Sequence, residues 1–380
     1  MQKTLFILAF FALLVSCRNR ATPEKTQAGL PIDTTSSIKY ATGFALKSFE
    51  GYKTVTLKNP WPGSKDVFTY ALLEEDGKLP ENEKFDAVIS IPVSRIALTS
   101  TTHIPSLEML GETETLVGFA NLNLISSEKI RQRIGNGKIT ELGKNETINP
   151  EVLINLRPDA LVGFAVNGNN PAYSTVQKAG IPVLYNSDWT EISPLGKAEW
   201  IKFFGALYKK DHLADSIFRE IEREYNAAKN RAAATSKIPT VLSGALYRDV
   251  WYMPQGGSWG AQFIADAHGR YLWEDEKGTG GLSLNLESVL EKGQDAEFWI
   301  GPGQFTSLAE MEKANPVYTH FKAFKQKKIY SYSLKKGATG GVIYFELAPN
   351  RPDLVLKDHI QILHPELFPD RELYFFDKLN

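Results

Sequence analysis

The strongest periodicity in the chain lies between Asp211 and Ala233, in D-H-L-A-D-S-I-F-R-E-I-E-R-E-Y-N-A-A-K-N-R-A-A. At 100° per residue, Leu213, Ala214, Ile217, Phe218, Ile221, Tyr225 and Ala228 fall within one arc of about 140°. Asp215, Arg219, Glu222, Arg223, Asn226 and Lys229 point the other way, and Glu224 is the misfit. No Gly or Pro interrupts the run, and T-S-K-I-P ends it. The pattern predicts one helix about 34 Å long, with Asp211 as N-cap and Lys229 and Arg231 at its negative end. Such a helix either covers a surface or acts as a rigid strut between two lobes. The flanking sequence favours the strut.

On both sides, short apolar runs alternate with helical stretches. From Val88 on, R-I-A-L-T-S, T-L-V-G-F-A, D-A-L-V-G-F and I-P-V-L-Y read as strands. Between them lie the helical S-L-E-M-L-G, capped by Gly111, then P-E-V-L-I-N-L and S-T-V-Q-K-A-G. Ser193-Pro194 starts a further helix, with Ser as N-cap and Pro at the first helical position. The alternation resumes after Pro239. The two halves echo each other: residues 149–164 align with 285–300, matching Asn149 with Asn285, Glu151 with Glu287, Asp159 with Asp295 and Ala160 with Ala296. This predicts an α/β protein of two Rossmann-like lobes, each with a mostly parallel sheet, bridged by a single long helix. The lobes are expected at 86–192 and 237–380, with linking helices at 193–236. Residues 38–85 alternate and turn in β fashion and predict a small N-terminal β appendage, to which the sequence attaches no chemistry.

The N-terminus stands apart. Lys3 precedes L-F-I-L-A-F-F-A-L-L-V, too short to span a bilayer comfortably, and reads as the core of a signal peptide over 1–16. It runs into L-V-S-C, which resembles a bacterial lipobox with Cys17 as the lipidated residue. Residues 17–37, rich in Thr, Ser, Lys and Pro, are expected to form a flexible tether. Cys17 is the only cysteine, so no internal disulfide is possible. With 380 residues there is room for two cores, and a net charge of −1 points to no nucleic-acid partner.

The order and spacing of these segments resemble the substrate-binding lipoproteins of ABC importers for iron complexes and cobalamin. These are the helix-hinged periplasmic binding proteins that carry ferric siderophores, haem and cobalamin. The resemblance covers roughly residues 90–380. It rests on R-I-A-L-T-S-T-T-H-I-P-S-L-E-M-L-G with T-L-V-G-F-A, on I-N-P-E-V-L-I-N-L-R-P-D-A-L-V, and on L-N-L-E-S-V-L-E-K-G-Q-D-A-E-F-W-I. It implies a non-enzymatic, monomeric protein, lipid-anchored in the periplasm, that hands a metal chelate to a permease and has no cofactor of its own. By motif position it implies that Glu151 and Glu287 dock on permease arginines; a Glu in a first helical turn also serves simply as a cap.

Ligands of open α/β lobes sit outside the carboxyl ends of strands, which selects loops. Thr101, Thr102 and His103 follow the first strand, Asn121 the second, and Trp189 the last strand of the first lobe. In the second lobe, R-D-V-W-Y-M-P-Q-G-G-S-W-G offers Trp251, Tyr252 and Trp259, and Tyr344 lies in a later loop. Flat aromatic faces suit a corrin, a porphyrin or another planar chelate, yet the same aromatics equally build cores. His103 could ligate a metal or contact a ligand, but a single loop histidine more often does neither. The other histidines show no zinc-site spacing, and no catalytic set emerges. A metal-cofactor enzyme on the same two-lobe frame, of nitrogenase or chelatase type, is the alternative. It would call for cysteines or clustered histidines that this sequence does not supply.

Overall fold

The structure is a computed structural model and describes residues 38–168 and 170–380. The leader, Cys17 and the tether lie outside the described residues. The chain forms two α/β lobes. In the first, five parallel strands lie in the order Val183–Tyr185, Ala160–Gly163, Ile96–Leu98, Leu116–Phe119, Thr140–Glu141. In the second the order is Arg270–Tyr271, Thr240–Ser243, Phe298–Ile300, Ile329–Ser331, then Asp377–Lys378 running antiparallel at the edge. Four strands therefore repeat in the same relative order. The inner strands are buried on both faces, which is why they read as unbroken apolar runs.

The 149–164 and 285–300 echo is structural. Asn149 caps the helix Pro150–Leu156, and Asn285 caps Leu286–Gly293. Each helix feeds the strand that pairs beside the first strand of its lobe.

The long helix runs Asp211–Ala233, 23 residues. Its buried face joins two cores. Ala214, Phe218 and Ile221 belong to the core of the first lobe, and Tyr225, Ala228 and Ala232 to that of the second. Gly205 of the preceding helix lets the strut approach closely, since a Cβ there would lie 2.5 Å from Ala214 Cβ. Two details differ from the sequence reading. Asp211 is the first helical residue and pairs with Lys53, whereas Lys210 holds the cap position without a side-chain cap. Leu213, assigned to the apolar arc, is exposed. The misfit Glu224 is accounted for by Lys357, 2.6 Å away on the helix Pro352–Leu363, and by Arg223.

The appendage is a four-stranded sheet of Phe44–Phe49, Tyr52–Lys58, Val67–Leu73 and Ala87–Ser90. The last strand, which the sequence reading placed at the start of the first lobe, pairs in parallel with Val67–Leu73 instead. Phe44, Val55, Leu57, Tyr70, Leu72 and Ile89 merge with the core of the first lobe, so the appendage is packed rather than pendant. Two buried carboxylates fasten the segment leading into it. Glu199 accepts the backbone N–H groups of Lys39, Tyr40 and Ala41, and Glu191 those of Thr42 and Gly43. Lys202 Nζ, 3.0 Å from Glu199, balances one of these charges. An unpaired buried carboxylate is costly, and saturating it with donors is what makes the clasp favourable.

Candidate ligand-binding cleft

In the second lobe the carboxyl ends of Thr240–Ser243 and Phe298–Ile300 lie side by side, and their connections leave in opposite directions. This is the crevice where open α/β sheets receive ligands. Gly244 (φ 79°) and Gly301 (φ 70°) follow the two strands. Both take the left-handed backbone that glycine tolerates. A Cβ on Gly244 would meet Tyr252 O at 1.9 Å, and one on Gly301 would meet the Tyr332 ring at 3.2 Å. Above this point opens a cleft of about 1460 Å³, lined by both lobes. Drug-sized ligands occupy about 300–1,000 Å³, so this space suits a larger one.

The matching crevice of the first lobe is plugged from within. Tyr173 Oη donates to Asn145 Oδ1 at 2.6 Å and lies 3.2 Å from Thr99 Oγ1. It passes so close to Gly163 that a Cβ there would be 2.0 Å from the hydroxyl. Burial pushes the Tyr173 hydroxyl pKa well above its ordinary value, so it stays a neutral donor. The appendage covers the neighbouring strand end: Tyr70 Oη accepts from Tyr185 N at 3.0 Å, and Trp61 sits edge-on to Tyr185 at 5.7 Å. The first lobe reaches the cleft mainly through the loop carrying Trp189, Glu191 and Ile192.

Four of the residues named from sequence line the cleft: Trp189, Tyr252, Trp259 and Tyr344. Tyr344 stacks on Tyr332 at 4.8 Å, and Trp259 lies 6.0 Å from Tyr344, forming an aromatic floor. Thr102 instead lines a side chamber of about 200 Å³ that shares Trp189, Trp259 and Tyr344 with the cleft. In the chamber wall, the buried Lys197 donates to the carbonyls of Asp188 and Trp189, each at 3.0 Å.

The remaining four lie elsewhere. Trp251 is fully buried, stacked on Trp299 at 5.3 Å, and donates from Nε1 to Ser243 O. The stretch around it is not a loop but a strand, Val250–Pro254, paired with Ala245–Tyr247 and Gly281–Leu284. Alternation in that strand turns Trp251 and Met253 inward and Tyr252 outward, so Trp251 and Tyr252 cannot share a ligand. His103 is buried against Phe204, with neither ring nitrogen hydrogen-bonded, and burial lowers its pKa, leaving it neutral. Its turn, with Thr101, packs on the helix Ile343–Leu347. Asn121 takes a left-handed backbone (φ 59°), and its N–H donates to Glu141.

These last segments belong to a seam between the lobes. Asn350 accepts from Ser106 Oγ at 3.0 Å and donates to Thr102 O at 2.7 Å, while Thr339 Oγ1 donates to Asn123 O. Glu346 accepts from the backbone of Ser126 at 2.7 Å and of Ser127 at 2.9 Å. Burial, offset by these bonds and reinforced by Glu108, pushes the Glu346 pKa up to about 7. With the folded value raised above the ordinary carboxylate range, this group's contribution is complete below that range and declines as pH rises through about 7. Acidification from pH 8 to 5.5 is therefore expected to strengthen the seam by roughly 2 kcal/mol. Thermal melts across this range should show that gain in the wild type and not in Glu346→Gln. Parallel curves for the two proteins would refute the assignment.

Sequence reasoning missed the contribution of the appendage. Its loop from Lys58 to Lys65 lines the cleft, as do Tyr332, His359 and Phe376 of the second lobe. N-P-W-P-G-S-K-D reads only as a turn, and nothing local in it reports which surface it meets. His359 Nδ1 donates to Val355 O, 2.9 Å away, and burial keeps the ring neutral. Among the described residues, no group of three or more His, Cys, Asp or Glu is gathered to hold a metal ion.

A sequence profile described as "Periplasmic binding protein" matches residues 96–334, more than half of the chain. The chain belongs to the periplasmic binding protein family. An uncharacterized lipoprotein of Methanocaldococcus jannaschii is 26% identical over 383 residues, covering 94% of this chain and 89% of its own length. A second uncharacterized lipoprotein of that organism is 24% identical over 360 residues, covering 90% and 87%. Among solved structures, a periplasmic haem-binding protein from Pseudomonas aeruginosa superposes with a TM-score of 0.57 at 16% identity, over 76% of this chain and 98% of its own. A possible iron-binding, periplasmic solute-binding protein from Staphylococcus epidermidis gives 0.57 at 18% identity, over 72% and 99%. Likenesses at this identity establish the two-lobe fold. The family and its lipoprotein relatives place this binding protein outside the cytoplasm. Among the described residues no helix is long and apolar enough to cross a membrane.

Proposed function

We propose that this binding protein is the substrate-binding component of an ABC importer and that it captures a large metal chelate, whether a ferric siderophore, haem or cobalamin. The observation that carries this reading is the cleft itself. It is large, walled by Trp189, Tyr252, Trp259, Tyr332 and Tyr344, and set between two lobes at the strand ends of the second. Aromatic faces bind flat conjugated ligands through area and stacking rather than bond-making, so the reading is of capture without turnover. Cys17 anchors the protein to the membrane by lipid, and Glu151 and Glu287 meet the permease. Both glutamates are exposed and lie in first helical turns. A helix that feeds a parallel strand runs opposite to it, so both first turns lie at the cleft edge of their lobes.

The experiment is a titration of the full chain with haemin, cyanocobalamin and a ferric tricatecholate siderophore, followed by absorbance and indole fluorescence. One of these should bind saturably and quench Trp189 and Trp259. Small-angle scattering should change little, since a continuous strut and a bonded seam resist the wide closure of loop-hinged proteins. Absence of saturable binding by all three at micromolar concentration would exclude the reading.

A further inference from the structure

The appendage loop is fastened over the cleft at several points. Lys58 N donates to Gly43 O at 2.9 Å, and Asn59 N to Asp66 O at 3.1 Å. Trp61 lies 6.1 Å from Phe68 and 5.7 Å from Tyr185, and its ring sits 2.9 Å from where a Cβ on Gly168 would be. Gly43 itself is held by Glu191. The loop is thus positioned by backbone bonds and a wedged indole, not left to swing.

The charges lining the cleft are unevenly engaged. Glu191 Oε1 accepts from Thr42, Gly43 and the Trp200 indole, and its Oε2 from the Thr42 hydroxyl. Glu310 Oε2 accepts from both the backbone and the hydroxyl of Thr306. His359 is held neutral by burial. Lys58 and Lys65 differ: both are exposed, both line the cleft, and among the described residues neither has a carboxylate within 4.0 Å. Asp66, next to Lys65, is tied to Ser64 Oγ at 2.7 Å and does not line the cleft. Among the described residues, the cations left free to meet a ligand in the cleft lie on one loop, and that loop belongs to the appendage.

We infer that the appendage is part of the ligand site, and that Lys58 and Lys65 select a chelate with anionic groups, carboxylate or catecholate, on its rim. The inference rests on the proposed capture of a chelate and adds its charge. The aromatic floor takes the flat body of the ligand, while the two ammonium groups meet its negative edge. Long flexible lysines at a solvated rim suit ligands whose anionic groups vary in position. Their attraction is screened by salt, so its contribution to affinity and selectivity is largest at low ionic strength.

The test uses the full-length protein and the double variant Lys58→Gln/Lys65→Gln. Both side chains are exposed, so the melting temperature should not move, and melts check this. The probes are haemin and a ferric tricatecholate, both anionic at the rim, and cyanocobalamin, whose rim is amide-rich. The wild type should bind an anionic probe, weakening as salt rises from 0.05 to 0.5 M. The double Gln variant should bind it about tenfold more weakly and lose most of that salt dependence. Lys58→Arg/Lys65→Arg should retain wild-type affinity. Equal affinity of wild type and Gln variant for the anionic probe would overturn the inference, as would tighter binding of cyanocobalamin. Either result leaves chelate capture standing. Failure of every probe to bind the wild type would remove both ideas together.

Discussion

Reversing Glu151 and Glu287 together to Lys is expected to abolish uptake while leaving ligand affinity within a few-fold. The two residues sit at equivalent positions, each two residues beyond an asparagine N-cap and each exposed to solvent. The Asn149 side chain accepts from Glu151 N at 3.0 Å and from Val152 N at 3.2 Å, and Asn285 accepts from Ser288 N at 2.8 Å. The caps are therefore already made by asparagine, and neither glutamate is needed as an N-cap. Each reversal would replace attraction to a permease arginine by repulsion. Like-charge contacts across an interface cost several kcal/mol, on the order of 100-fold or more in affinity. Whole-cell uptake of the captured chelate, measured beside binding by the purified variant, separates docking from capture. Undiminished transport in the double variant would remove these residues from the interface.

The second large effect lies in the cleft and divides the tryptophans. Trp259→Ala and Tyr344→Ala should each weaken ligand binding by about 1–3 kcal/mol, a typical cost of removing a buried aromatic contact from a recognition site. Trp251→Ala should behave differently. Its ring packs on Trp299, Tyr318 and Phe321, and its indole N–H satisfies Ser243 O. Truncation there should lower stability by about 3–5 kcal/mol and leave the affinity of the folded fraction nearly unchanged. Thermal melts and fluorescence titrations on the three variants give the contrast. Wild-type affinity in both Trp259→Ala and Tyr344→Ala would move the site away from this floor.

The two lobes and the strut were legible because each depends on local pattern. A 3.6-residue period set the long helix, Gly111 and Ser193 marked helix ends, and the apolar runs betrayed strands covered on both faces. Trp251 shows a signal that was present and misread. V-W-Y-M-P alternates, and a strand with period two must send Trp251 and Tyr252 to opposite faces. Thr101, His103 and Asn121 carry no such signal. They do follow parallel strands of the first lobe, where ligands of such lobes sit. What removes them from the cleft is distant in sequence: Asn350 and Glu346 close the seam over their loops, and Tyr173 fills the crevice beside them.

By itself, the sequence determined the α/β class, the paired lobes, the strut and the family to which the chain belongs. These follow from periodicity and from motifs whose residues are neighbours along the chain. Only the tertiary structure decided which crevice stays open. The two lobes begin with similar strand plans, but Tyr173 and the appendage close one switch point, while the other, at Gly244 and Gly301, opens into the cleft. The same packing turned N-P-W-P-G-S-K from an ordinary turn into a wall of the cleft. A loop's local preferences fix its turn; which surface it meets depends on contacts more than a hundred residues away, such as Tyr70 with Tyr185.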